Sequence, residues 1–238
     1  MRNPTARLAA APALLLALLS AACTDSPSPA GPEDAARKPA AAAATDVTED
    51  FDLLDPALWL RGDHVLGRGR LRPENVAAPG GVLTLTLPAG TRDGAEVQSV
   101  ARHGFGSYAA RMRTQHAPGS ISAFFLYQGV ARRNDELDVE LFNDGSRRVM
   151  FTVWVAGKQT WSATHVLPFD PAADFHEYRI DYAAGRVRFG VDGVPMQEWT
   201  ARVPRNAMFV MANTWWPVWL DGEVPPADAP LLVDRIRY

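Results

Sequence analysis

The chain has 238 residues, with 24 Lys and Arg against 27 Asp and Glu, a formal net charge of −3 and one cysteine. This length fits one domain with or without tails. A hydrophobic content of 47% is enough for a full core, which excludes a wholly disordered chain. The near-neutral charge argues against nucleic acid or an anionic membrane as the main partner, because both require a concentrated basic surface. The single cysteine excludes an internal disulfide framework and any multi-cysteine metal site.

Residues 1–23 have the features of an export signal. Arg2 and Arg7 supply positive charge, the apolar stretch 8–19 is too short to span a bilayer, and small residues precede Cys23. The position of Cys23 after Ala-Ala resembles a bacterial lipoprotein processing site. It implies lipid attachment at this cysteine and an exported protein, either anchored in the bacterial cell envelope or extracellular. Ordinary cleavage and a buried free thiol are the alternatives.

Residues 24–48 are rich in Pro, Ala and Ser, with scattered charges and a single valine. Such a segment buries too little apolar surface to offset the entropy lost on ordering. The composition therefore predicts a disordered linker over 24–48, between the export signal and a folded domain over 49–238.

Short segments with apolar residues at alternate positions recur from residue 49 onward, separated by turn signals. Hairpins and tight turns are predicted at Asn143-Asp144-Gly145, Ala184-Gly185, Asp192-Gly193 and Asp221-Gly222. About ten strands in one domain favour an all-β antiparallel β-sandwich or jelly roll. The predicted strands cover 82–87, 107–113, 120–129, 136–142, 148–155, 176–182, 186–191, 208–215 and 231–238.

One of these strands carries three acids. Glu136, Asp138 and Glu140 alternate with Leu137 and Val139, so on a strand the acids share one face and the aliphatic residues share the other. Three carboxylates in a row repel each other. One interpretation is an exposed edge strand whose acids oppose aggregation. The other is an acid/base pair of glutamates with a third acid between them that separates their pKa values.

The segment 136–140 also resembles the E-[hydrophobic]-D-[hydrophobic]-E signature of glycoside hydrolase family 16, which includes lichenases, laminarinases and xyloglucan-modifying enzymes. Further segments resemble landmarks of this family in the expected order, and the likeness covers about 51–238. The resemblance implies a concanavalin A-like antiparallel jelly roll with a concave substrate cleft. The further segments are 96–100, 104–108, 111–113, 121–129, Asp192-Gly193, 211–215 and 233–238.

Carried over by this resemblance, Glu136 is the nucleophile, Glu140 the general acid/base, and Asp138 the residue that orients the nucleophile. The implied activity is endo-acting hydrolysis of a β-linked polysaccharide with retained configuration. Catalysis then requires no cofactor, although some relatives bind a structural calcium. We expect a monomer that reaches a membrane only through its N-terminal lipid. A non-catalytic carbohydrate-binding jelly roll and a transglycosylase remain alternatives.

Aromatic side chains are expected to form a sugar-binding surface, because a ring can bury the apolar face of a sugar. Trp215 and Trp216 are adjacent, so only one of them is predicted to line the cleft, and we expect Trp215. Trp59, Trp161 and Trp199 are assigned to the core. The predicted substrate-binding residues are Glu96, Phe125, Tyr127, Trp154, Asn213, Trp215 and Trp219.

Three positions depart from the family pattern. Gln98 replaces an arginine of lichenases, Thr152 replaces an asparagine, and Asn134 stands where the family often has tryptophan. These changes leave the polymer open among mixed-linkage glucan, β-1,3-glucan and a galactan. The five histidines (His64, His103, His116, His165 and His176) lack metal-ligand spacing and are assigned to the surface or core.

Overall fold

Strands dominate the computed structural model, which describes residues 47–129 and 133–238. The predicted export signal, with Cys23, and all but the last two residues of the predicted linker lie outside these ranges. Thr48, the last of those two, lies in the first strand. No helix among the described residues is long and apolar enough to cross a membrane. They contain two 3-10 helices, Pro73–Asn75 and Pro79–Gly81, and no α-helix.

Seventeen strands make up three antiparallel sheets. In chain order they are β1 (Thr48–Glu49), β2 (Trp59–Arg61), β3 (His64–Leu66), β4 (Gly69–Leu71), β5 (Val76–Ala77), β6 (Leu83–Leu87), β7 (Ala95–His103), β8 (Gly106–Arg113), β9 (Ile121–Tyr127), β10 (Glu136–Phe142), β11 (Arg148–Val155), β12 (Lys158–Val166), β13 (His176–Ala183), β14 (Arg186–Val191), β15 (Val194–Trp199), β16 (Met208–Trp215) and β17 (Ala229–Arg237).

Two large sheets form the sandwich. One has the order β15-β14-β13-β8-β17-β6-β5, with β1 also paired with β17, and the other has the order β12-β11-β10-β9-β16-β7-β2. The short hairpin β3–β4 forms a separate two-stranded sheet. The predicted all-β antiparallel jelly roll is confirmed. The three-acid strand, β10, lies in the interior of its sheet between β9 and β11, so the edge-strand interpretation is wrong.

Apolar side chains at alternate strand positions fill the space between the two sheets. Leu137, Val139 and Leu141 of β10 are completely buried. On the next strand, Phe151 stacks on Phe189 of the opposite sheet with ring centroids 5.0 Å apart. This packing fixes one face of β10 in the core and leaves its acids on the other face.

A smaller apolar cluster lies on that other face of the β10 sheet. Ile121, Ala123, Phe125 and Met211 are buried there, on the neighbouring strands β9 and β16. These side chains lie on the face away from the main core. They form an apolar floor beside the acids of β10.

Several observed strands were not predicted. Two of them, Lys158–Val166 and Val194–Trp199, lie at sheet edges, where partly exposed side chains weaken the apolar alternation. Pro195 is tolerated in the second because it is an edge strand. Ala95–His103 forms a nine-residue strand. The predicted hairpin turn at Asp221-Gly222 is wrong, because these residues lie in the irregular connection between β16 and β17.

The adjacent tryptophans Trp215 and Trp216 differ in burial, so their substitution should change the stability of the protein by different amounts. Trp216 is fully buried against Leu87, Ala117 and Ala229, whereas Trp215 is only partly buried. We expect Trp216→Ala to lower the free energy of unfolding by about 3–5 kcal/mol through loss of a buried aromatic, and Trp215→Ala to lower it by less than half as much. Urea unfolding of both variants measures this difference. Equal losses would contradict the assignment of Trp216 to the core.

Candidate active site

Strand register arranges the concave face of the β10 sheet into transverse rows of side chains. Each row takes one residue from each neighbouring strand, because paired residues point to the same face. Running from β7 to β11, two rows are Glu96-Asn213-Ala123-Glu140-Met150 and Gln98-Met211-Phe125-Asp138-Thr152, and a third, from β16 to β11, is Phe209-Tyr127-Glu136-Trp154.

These rows form the floor of a cavity of about 740 Å³, called the cleft below. All ten residues that the sequence assigned to catalysis or substrate binding line it, including Trp215 and Trp219 from the far end of β16 and the connection that follows. Trp219 is 52% exposed and packs edge-on against Phe142. The cleft therefore combines four carboxyl groups with aromatic walls.

Sequence reasoning missed several lining residues. His64 and Leu66 come from the hairpin β3–β4, whose three-residue strands carry too little pattern to be recognised. Met150 and Gln159 could have been found by extending the period-two rule from Trp154 along β11 and across the following turn. Asn134, which was noted only as a family departure, also lines the cleft.

The start of β10 is held by hydrogen bonds around Asp135. This buried carboxylate accepts from the backbone N–H of Ala156 at 2.9 Å and from Nδ2 of Asn206 at 2.7 Å. One residue earlier, Nδ2 of Asn134 donates to Oε2 of Glu136 at 2.9 Å. The polar turn before β10 therefore fixes both the strand and the first glutamate.

Burial controls the protonation of the three acids on β10. It raises the pKa of Glu136 to about 7, although hydrogen bonds with Asp138 and Asn134 oppose the shift. Burial also raises the pKa of Glu140 to about 7, and the nearby charge of Glu136 adds to the effect. Burial is the largest cause for both side chains, but the remaining causes act in opposite directions: hydrogen bonds lower the pKa of Glu136, whereas the charge of Glu136 raises that of Glu140.

Asp138 lies between the glutamates and is the most strongly shifted of the three. Burial raises its pKa well above the usual range, and the charges of Glu136 and Glu140 and its hydrogen bond to Glu136 act in the same direction. A protonated Asp138 can donate that hydrogen bond to Glu136. The side chain of Trp154 also forms a hydrogen bond with Asp138, which opposes the rise in the pKa of this acid.

A fourth carboxyl group lies three strands away from Glu140. Glu96 is 4% exposed, so it is not a surface acid, and its Oε2 accepts from Nδ2 of Asn213 at 3.1 Å. Burial raises the pKa of Glu96 to about 7, with Asn213 opposing the shift and Glu136 adding to it. Nε2 of His64 lies 3.9 Å from Oε1 of the same carboxyl.

Two buried polar atoms in the cleft have no hydrogen-bond partner among the described residues: Oγ1 of Thr152 and Oδ1 of Asn213. Buried polar groups normally find partners, so these atoms are suited to ligand hydroxyl groups. Among residues 47–129 and 133–238, no three His, Cys, Asp or Glu side chains converge as a metal site. A structural calcium stays a prediction from the resemblance.

Comparison with known proteins assigns the chain to a described group. The profile of Glycosyl hydrolases family 16 matches residues 70–219. A Beta-glucanase of Paenibacillus polymyxa is 31% identical over 136 residues, which are 56% of this chain and 57% of the relative. Endo-1,3-1,4-beta-glycanase ExoK of Rhizobium meliloti is 29% identical over 207 residues, 80% of this chain and 77% of the relative.

The structural comparison agrees with these matches. The crystal structure of a prokaryotic beta-1,3-1,4-glucanase (lichenase) derived from a mouse hindgut metagenome superposes with a TM-score of 0.76 and 25% identity, covering 82% of this chain and 98% of that one. Against the first three curated relatives, the chain spans only 57%, 53% and 58% of their lengths.

The raised pKa of Glu96 predicts a pH-dependent change in stability. An unfolded Glu titrates near 4.3, so between about pH 4.3 and about pH 7 the native protein holds an extra proton at Glu96 and loses stability as pH rises. For Glu96→Gln, the unfolding free energy relative to the parent should increase by up to about 3 kcal/mol from about pH 4 to about pH 8.

Urea unfolding at a series of pH values measures this change. Glu198→Gln, at an exposed carboxylate paired with Arg188, is the matched control and should show no comparable increase. An equal pH trend in both variants would mean that Glu96 is not desolvated in the native protein.

Proposed function

The chain belongs to family 16 of the glycosyl hydrolases, and on this premise we propose that it is an endo-acting β-glucanase that retains the configuration of the cleaved bond. One observation supports the proposal above all others. Glu136 and Glu140 project from one strand into a cleft with aromatic walls, with Asp138 between them. Retaining glycoside hydrolysis uses two carboxyl groups that flank the scissile bond, one as nucleophile and the other as general acid and base.

In the first step, a carboxylate oxygen of Glu136 bonds to the anomeric carbon while the glycosidic C–O bond breaks. Glu140 transfers its proton to the departing oxygen and becomes a carboxylate. In the second step, Glu140 removes a proton from water, whose oxygen bonds to the anomeric carbon as the ester to Glu136 breaks. The two inversions restore the original configuration, and both glutamates return to their starting protonation states.

The environments of the two glutamates support this division of roles. Glu136 receives a hydrogen bond from Asn134 and shares one with Asp138, and both lower its pKa against the effect of burial. Donors of this kind stabilise a carboxylate, which is the form a nucleophile needs. For Glu140, burial and the charge of Glu136 both favour the protonated form that a general acid needs.

The charge of the cleft favours a neutral polysaccharide. Four carboxyl groups line it, and among its described lining residues there is no lysine or arginine. A sulfated or uronic polymer would place negative charge next to these acids, with His64 as the only basic side chain among the described lining residues. The aromatic rings suit the apolar faces of sugars, so mixed-linkage β-1,3-1,4-glucan or β-1,3-glucan is the proposed substrate.

The width of the cleft supports internal cleavage. Its rows cross five strands from β7 to β11, which at about 4.8 Å between strands amounts to roughly 19 Å. Several consecutive sugar units can therefore lie across the floor on both sides of β10. Export, lipid attachment at Cys23 and a position in the cell envelope remain part of the proposal on sequence grounds alone.

Substitution of each glutamate tests the roles. Glu136→Gln should abolish hydrolysis of mixed-linkage glucan while leaving thermal unfolding nearly unchanged. Glu140→Gln should lose hydrolysis of the polymer but still react once with a dinitrophenyl glucan oligosaccharide, whose leaving group needs no proton, and accumulate a covalent glycosyl-enzyme. Intact-protein mass spectrometry detects this adduct. An adduct on Glu136→Gln, or parental hydrolysis by either variant, would refute the assignment.

A polysaccharide panel tests the substrate class. We expect hydrolysis of barley β-glucan or laminarin, measured as reducing ends, and activity at least about tenfold lower on sulfated galactans, because the carboxyl groups of the cleft repel anionic sugars. Product masses with an added acceptor oligosaccharide distinguish hydrolysis from transglycosylation. A preference for the sulfated polymers would contradict the neutral-substrate proposal, and binding of glucan without product would favour the non-catalytic jelly roll.

A further inference from the structure

The wall of the cleft beside Glu96 is built by the hairpin β3–β4. This hairpin carries His64, whose side chain is 53% exposed, whereas the side chain of Glu96 is 6% exposed. Among the described residues that line the cleft, His64 is the only basic one. Catalysis by the acids of β10 does not account for the position of His64 beside Glu96, the one carboxyl group among the described lining residues that is not on β10.

Backbone contacts fix the position of this hairpin. The N–H of Gly62 donates to the carbonyl of Glu96 at 2.9 Å, and the N–H of Arg68 donates to the carbonyl of Trp216 at 2.8 Å. A Cβ atom on Gly69 would lie 1.6 Å from the carbonyl oxygen of Arg92, so only glycine permits this approach. The backbone of the hairpin is therefore anchored beside β7 and β16, which places His64 next to Glu96.

The two facing atoms are separated by a distance that suits a bridging hydroxyl group. Nε2 of His64 and Oε1 of Glu96 are 3.9 Å apart, which is too long for a direct hydrogen bond. If one oxygen atom lay about 2.8 Å from each, the angle at that oxygen between Nε2 and Oε1 would be roughly 90°. A hydroxyl group can meet this geometry by donating to one partner and accepting from the other. The second oxygen of Glu96 is already occupied by Asn213.

We propose that His64 and Glu96 together bind a single sugar hydroxyl group, which makes His64 a specificity-determining residue of the cleft. The hydroxyl donates to Oε1 of Glu96 and accepts from Nε2–H of His64. A sugar whose oxygen at this point is substituted has no hydrogen to donate, and Glu96 would then be buried without its partner. The pair therefore selects a neutral glucan segment that is unsubstituted at this position.

This inference rests on the proposed function, because the hydroxyl belongs to a glucan bound across the catalytic strand. The pair lies roughly 14 Å from Glu140, three strand spacings along the same row. At that distance it contacts the substrate away from the reacting atoms. Its loss should weaken binding of the substrate and of the transition state equally, raising KM and leaving kcat nearly unchanged.

A double-mutant cycle tests the shared hydroxyl. His64→Leu removes the donor. Glu96→Gln keeps an oxygen for Asn213 but turns an amide N–H₂ toward His64, which removes the acceptor. Each single variant should raise KM for a linear mixed-linkage oligosaccharide by about tenfold. The double variant should raise it by clearly less than a hundredfold, because both hydrogen bonds position the same hydroxyl and each strengthens the other.

Two further variants complete the experiment. His64→Gln places an amide donor near the position of Nε2 and should recover most of the parental KM. His116→Gln changes an exposed histidine outside the cleft and should leave both kinetic constants at parental values. Failure of the parent to hydrolyse the oligosaccharide would reject the proposed function itself. A parental KM in His64→Leu, or a double variant whose KM rises by the product of the single changes, would reject the role of His64.

Discussion

Side chains alternate between the two faces of β10, and this constraint joins the core of the protein to its chemistry. Leu137, Val139 and Leu141 are sealed between the sheets, so Glu136 and Glu140 must face the cleft. A shift of one residue in strand register would bury the acids in the core and expose the aliphatic row. The apolar packing that stabilises the sandwich therefore also determines which way the proposed catalytic acids point.

The cleft keeps four carboxyl groups in surroundings that disfavour their charge. Burial raises the pKa of Glu136, Glu140 and Glu96 to about 7, and it raises that of Asp138 well above its usual range. Towards neutral pH the native state therefore holds protons that the unfolded chain has released, so the free energy of unfolding falls as the pH rises. The same desolvation keeps an acid protonated for transfer and strengthens each hydrogen bond from Asn134 and Asn213. Burial of the carboxyl groups is therefore the common cause of the lower stability at neutral pH and of the protonated acid that the proposed mechanism needs.

Much of this arrangement could be predicted from sequence, because it depends on local periodicity. The strands with clear alternation, the acids of β10 and the outward position of Trp215 all follow from a period of two residues, and the order of family landmarks supplied the jelly roll. The edge strand β12 was not predicted, because its exposed positions mix polar and apolar residues. The upward shift that burial gives the pKa of both Glu136 and Glu140 could not be predicted either, since burial depends on contacts from distant strands.

His64 is a further residue whose place in the cleft could not be predicted from the sequence. In the sequence it is one histidine among five, in a hairpin whose strands are three residues long, and nothing local links it to Glu96, thirty-two positions later. Backbone contacts of the hairpin, among them those of Gly62, Arg68 and Gly69, bring the two together. The acids proposed to break the glycosidic bond lie on β10 in the interior of its sheet, whereas the histidine proposed to bind the sugar lies on a short hairpin at the wall of the cleft. Because a hairpin can change in sequence without disturbing the sandwich, selectivity for a polymer can change while the catalytic strand remains the same.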